Sequence, residues 1–242
     1  MKMNKKKVLV VALAVSLIAI LSLGSIAWFN AKDEITNKFQ VATDDEGNPD
    51  FSIDVKEHKT DSDGKNFVDA DGDGNDDLTD DGNEYTYVLP GDELLKDPMV
   101  TNTGDYDQWV RVNVMISKSF ADQVARTQNK AVADLDFTKL FKNFDPTAYE
   151  AAREFNATAF TDYYMYSYYV ATKVAPDVTV KVFDAVNIPT TFTQAEMSYI
   201  DFQVIVKADA IQSDNLGSSA SDAFKSVNWE AGTAYDLGIV EP

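Results

Sequence analysis

The chain has 242 residues, with 40 Asp+Glu against 21 Lys+Arg, a formal net charge of −19, one His and no Cys. Such an acidic surface repels phosphate, so nucleic acid is excluded as a natural partner. The absence of Cys removes disulfides, thiolate nucleophiles and thiolate metal sites, and the lone His58 removes zinc sites needing two imidazoles. Hydrophobic residues at 45% and aromatics at 12% are enough for a folded body of one domain.

The amino terminus reads as an export signal. Lys2, Lys5, Lys6 and Lys7 precede an apolar run over residues 8–23, and no acidic residue occurs before Asp33. Ser25 and Ala27 place small residues at −3 and −1 of a cleavage site between Ala27 and Trp28. This assigns residues 1–27 to a signal peptide, helical while attached, and 28–242 to a single domain outside the cytoplasm. The alternative is a retained anchor, since residues 8–29 match the roughly 20 needed to span a bilayer. The membrane would then be met only through the uncleaved signal.

Along the mature chain, alternation predicts a strand at Phe51, Ile53 and Val55 and another over residues 85–89, closed by Pro90-Gly91. The clearest strand covers 109–117, with Val110, Val112, Val114 and Ile116 on one side. Residues 118–158 change character and predict a helical insertion. Phe137, Leu140, Phe141 and Phe144 recur at helical spacing there, and Asp145-Pro146 looks like a helix start. Strands follow at 163–171, 178–186 and 199–207, then a short helix over 218–227. Ile200, Phe202, Val204 and Val206 are expected to share the core of Val110, Val112, Val114 and Ile116. The tyrosines of 163–169 would put one set of rings in the core and the other under the insertion. The fold class expected is mainly β, an antiparallel sandwich with a helical insertion.

The segment 61–84 is the sharpest local signal, with ten acidic residues against Lys65 alone. Asp69, Asp71 and Asp73 fall at positions 1, 3 and 5 of a calcium-loop pattern. Gly74 takes the sharp turn at 6, the Asn75 carbonyl position 7, and Asp77 and Asp80 positions 9 and 12. These six are the expected ligands of one structural Ca²⁺. The alternative is a solvated acidic loop without metal. His58, set among Lys56, Glu57 and Lys59, is expected to be a surface residue.

Several of these residues resemble the TasA/camelysin family of exported Gram-positive proteins. The Lys-rich signal ending in Ser25-Ile26-Ala27-Trp28-Phe29-Asn30, with Asn37-Lys38-Phe39 after it, is similar to the family's start. Leu89-Pro90-Gly91-Asp92, Lys96 and Asn102-Thr103-Gly104 look like its strand-and-turn block. The resemblance implies a jelly-roll-like sandwich, processing by a dedicated signal peptidase, SipW, and a place in the extracellular matrix or at the cell surface. It also implies self-assembly into biofilm-matrix fibres by strand addition, the amino-terminal segment of one subunit completing the sheet of the next. Residues 28–41 would be that segment, or would fold back as the first strand of their own domain; the residues leave both open. Because camelysin-type relatives carry a metallopeptidase label, an extracellular metallopeptidase is one alternative function. A calcium-dependent surface adhesin is another. With one imidazole and no thiolate, a structural role is expected over an enzymatic one.

Overall fold

The computed structural model describes residues 30–34, 37–38, 51–151 and 153–227. The expected signal, with Ala27 and Trp28, lies outside the described residues. No described helix is long and apolar enough to cross a membrane.

In chain order the strands are β1 (Asn30–Glu34), β2 (Asn37–Lys38), β3 (Ile53–His58), β4 (Leu78–Thr79), β5 (Glu93–Leu95), β6 (Met99–Asn102) and β7 (Gln108–Ser117). There follow β8 (Phe141–Lys142), β9 (Glu154–Asn156), β10 (Tyr163–Tyr169), β11 (Thr179–Lys181), β12 (Ala185–Asn187) and β13 (Val204–Gln212). The helices are α1 (Lys118–Gln128), α2 (Phe137–Leu140), α3 (Gln194–Met197) and α4 (Ala220–Ser226). The fold is a mainly β sandwich with a short helical insertion, and every strand pair is antiparallel. The large sheet runs β2-β1-β13-β7-β10-β9. Two smaller sheets run β11-β6-β3-β4 and β5-β12-β8.

The core lies between the large sheet and the smaller ones. Val110, Val112, Val114 and Ile116 are fully buried in one cluster with Ile200 and Val206, and Phe202 and Val204 pack against it. Alternation supplies Ile53, Val55 and Glu57 on the buried face of β3. All ten residues of β7 are buried, so its second face is covered as well. There α4 presents Ala220, Ala223 and Phe224 to Trp109, Tyr169 and Ile211. Met115, Tyr163 and Met165 pack with Ala159 and Phe160 further along.

Several expected elements differ. Residues 85–89 form no strand, because Tyr87 sits at φ 60 and turns the chain, leaving its ring exposed. The turn after it is present: Asp92 N donates to Leu89 O at 3.1 Å, with Gly91 at φ 91, the arrangement of a type II turn with Pro leading. The single strand expected over 178–186 is two, β11 and β12, in different sheets. Val182 and Phe183 are both buried between them, and Phe183 stacks on Phe141 at 4.2 Å. The strand expected from 199 begins at Val204, opposite Ile116, since β7 turns into α1 after Ser117; before it the ladder gives way to single bonds, Ser117 N to Gln203 O at 3.0 Å and Asp201 N to Ser119 Oγ at 2.9 Å. In the insertion the helical Phe spacing holds only for α2. Phe141 enters β8, Asn143 adopts φ 57, and Asp145 caps a single 3₁₀ turn through Thr147 N at 2.8 Å. Core and insertion meet the same tyrosine face: Phe137 lies 5.0 Å from Tyr166 and 5.3 Å from Tyr168. The opposite face takes Tyr163 and Tyr169.

Candidate functional site

The acidic segment leaves the sheet at the end of β3 and returns at β4, where Glu57 pairs with Thr79 and His58 with Leu78. Main-chain bonds from Lys59 N to Asp77 O (2.7 Å), Asp77 N to Val68 O (2.8 Å) and Val68 N to Lys59 O (3.0 Å) close its base. Gly64, at φ +68, packs so tightly that a Cβ there would lie 2.5 Å from the Tyr85 ring. The segment is thus a folded loop docked on the body, its charge borne by specific turns.

Within it, the Asp69 carboxylate accepts Gly72 N at 2.7 Å and Gly74 N at 2.9 Å, and the glycines take φ 76 and 90. The bond from Gly74 holds the Asp69 carboxyl below the usual carboxylate range. Asp61 is held down in the same way, chiefly by the Asn66 side chain and then by Lys65 N. Carboxylate oxygens of Asp69, Asp71 and Asp77 lie within 4.8 Å of one another, the first two exposed and the third half-buried. Asp73 is outside this group and accepts Asn75 N at 2.8 Å and Asn75 Nδ2 at 3.1 Å, while Asp80 lies beyond β4 and lines a neighbouring cleft. Hard carboxylate oxygens gathered beside glycine turns fit the ligand chemistry of Ca²⁺.

That cleft has a volume of about 610 Å³. Val55, Leu94, Val186, Phe202 and Val204 give it an apolar lining, the exposed Asp80, Asp81 and Glu84 add negative charge, and the buried Glu57 and Lys96 line it too. Tyr85 stands between, its hydroxyl donating to Leu95 O at 2.6 Å, and burial pushes the phenol up. Gln203 to Val206 line the cleft on one side. The outer edge of β13 from Val204 to Val206 pairs with no other strand among the described residues, because β1 engages only Ala208 to Ile211.

A polar cluster beside the cleft escaped the sequence reading. Glu57 is 5% and Lys96 9% exposed, and Lys96 Nζ donates to Glu57 Oε2 at 2.6 Å. Asn83 Nδ2 donates to Glu57 Oε1 and to His58 O, both at 2.9 Å. His58 is no plain surface residue: its Nδ1 is hydrogen-bonded to buried Asp97 Oδ2 at 2.8 Å, its main-chain N donates to Asp97 Oδ1, and its ring packs 5.0 Å from Phe67. Lys181 Nζ closes the cluster 3.4 Å from Asp97 Oδ2. One signal was available: period two puts Glu57 on the face of Ile53 and Val55, where a carboxylate must find a partner. Compared with protein-family models, with curated proteins and with solved structures, the chain matches none.

Proposed function

We propose that this chain is an exported structural protein that assembles with copies of itself by strand addition outside the cell, with the acidic loop ordered by Ca²⁺. The observation that carries this reading is the place of β1. It begins two residues after the expected cleavage point and joins the large sheet through β13 alone on one side, in the register Asn30↔Ile211 to Asp33↔Ala208. The same register is open to β1 of a second copy, and exchange of identical strands between protomers is a low-cost route to association. Signal removal would free the segment only after export, which keeps assembly out of the cytoplasm.

Electron microscopy of the secreted protein tests this. Filaments are expected from the chain beginning at Trp28, and their loss with a folded core is expected on deleting residues 28–41. Filaments from the truncated chain would reject strand exchange, and a strictly monomeric mature chain would reject assembly altogether.

The calcium component has its own measurement. A site of millimolar affinity, as in extracellular modules, stabilises the native state by about 1.4 kcal/mol at tenfold excess ion, or about 3–6 °C in melting temperature. Asp71→Asn combined with Asp77→Asn keeps the side-chain volumes and should abolish the response. A melting curve indifferent to Ca²⁺ and chelator would leave the loop a solvated acidic element.

A further inference from the structure

We propose that Lys96 and Asn83 become joined side chain to side chain by an amide bond, in a reaction the folded protein performs on itself with Glu57 as proton carrier. The two reactants sit on the two oxygens of one carboxylate: Lys96 Nζ on Oε2 at 2.6 Å and Asn83 Nδ2 on Oε1 at 2.9 Å. Lys96 and Glu57 are buried, and Asn83 is half-buried beside them. The carboxamide is held at three points, since its Nδ2 also donates to His58 O at 2.9 Å and its Oδ1 accepts Thr60 N at 2.8 Å. Lys96 is fixed from its own side by Lys96 N on Asp184 O at 3.2 Å and by Leu95 N on Gly64 O at 2.9 Å. Reactants so held exchange a bimolecular encounter for an intramolecular one.

Every step balances with groups already present. Proton transfer from the Lys96 ammonium to Glu57 frees the Nζ lone pair, which bonds to Asn83 Cγ as the carbonyl π pair moves onto Oδ1. The Thr60 N–H already on that oxygen stabilises the charge that develops there. Collapse of the tetrahedral centre breaks the Cγ–Nδ2 bond, and Glu57 returns its proton to the departing nitrogen as general acid. The attacking nitrogen sheds its second proton to the departing ammonia, so nitrogen leaves as ammonium with Glu57 again a carboxylate, and no oxidant, reductant or cofactor takes part. Glu57, Asn83 and Lys96 all line the cleft, which gives ammonia an exit. The product closes a covalent loop around the Pro90-Gly91 turn in a chain that has no Cys to staple it.

A tryptic peptide map of the purified full-length chain decides it. A free Lys96 is cleaved to give residues 66–96, because no Lys or Arg lies between Lys65 and Lys96. The cross-linked chain should lose that peptide and instead give residues 66–111, lighter than its sequence mass by about 17 Da, one ammonia. Its fragmentation should be silent between Asn83 and Lys96. Glu57→Gln and Lys96→Arg should each restore the full mass, and the wild-type map stands alone if either variant fails to fold. Cleavage after Lys96 in the folded wild type overturns the proposal, as does a loss of about 17 Da with Lys96 still cleaved, which marks a succinimide at Asn83. A loss of about 18 Da overturns it too, because Glu57 would then be the acyl donor. A cross-link that persists in Glu57→Gln removes Glu57 from the reaction.

Discussion

Val114→Asp is expected to leave the chain unfolded or insoluble at ambient temperature, a loss exceeding about 4–5 kcal/mol. Val114 is fully buried at the centre of the large sheet, opposite Tyr166 on β10 and Val206 on β13. Its side chain points into the apolar cluster, whereas Arg111 and Asn113 belong to the opposite face of β7. A carboxylate there would be desolvated with neither cation nor donor to compensate. Domains hold only about 5–15 kcal/mol in total, so one such group consumes most of the margin. Val114→Ala, which removes two carbons and leaves a small void, should cost about 2 kcal/mol and still melt cooperatively. Circular dichroism melts of the pair would check the contrast, and a soluble Val114→Asp with unchanged melting would mean that the core is elsewhere.

The covered second face of β7 gives the other large effect. Arg111 Nε donates to Asp209 Oδ2 at 2.9 Å, and Nη2 donates to the same oxygen. Asn113 Nδ2 adds a bond at 3.1 Å, and Ser167 Oγ donates to Asn113 Oδ1 at 2.6 Å. The guanidinium also lies 4.5 Å from the centre of the Phe224 ring, so α4 seals the pair from above. Both charged side chains are 1% exposed. Arg111→Met should destabilise by about 3–5 kcal/mol, because it strands a buried carboxylate. Asp209 Oδ1 has no hydrogen-bond partner among the described residues, so the pair is incompletely compensated even when intact. Arg111→Met combined with Asp209→Leu should therefore recover most of the loss, and chemical denaturation of the two single and one double variant measures the coupling. Equal destabilisation in the double variant would show that the network outweighs its desolvation cost.

What was legible in the residues follows from how locally each feature is encoded. Val110 to Ile116 alternate because one strand decides its own faces, and the core partner Val206 was readable in the same way. The Pro90-Gly91 turn was readable because its chemistry is confined to four residues. Tyr87 could not be read so, since a tyrosine carries no sign that it will take φ 60. The ends of β13 and the split between β11 and β12 depend on where distant partners stop. In the acidic loop, pattern positions 1, 3 and 9 come together as Asp69, Asp71 and Asp77. Asp73 instead closes a short turn on Asn75, the local competition that aspartate always offers. The pair Glu57 and Lys96, 39 positions apart, left only half a trace in the strand pattern, and Asn83 left none.

The order of strands in the large sheet also sets when the chain can fold. Arg111 and Asp209 stand 98 positions apart in sequence, and the sheet's first strand pairs with its last, Asn30 with Ile211. Neither contact can form until β13 has left the ribosome, and both close loops spanning much of the molecule. Pairings of this separation carry a large entropic barrier, so folding should be slow compared with that of a helical bundle of equal size. A nascent chain therefore cannot complete the large sheet until the last of its strands has been made.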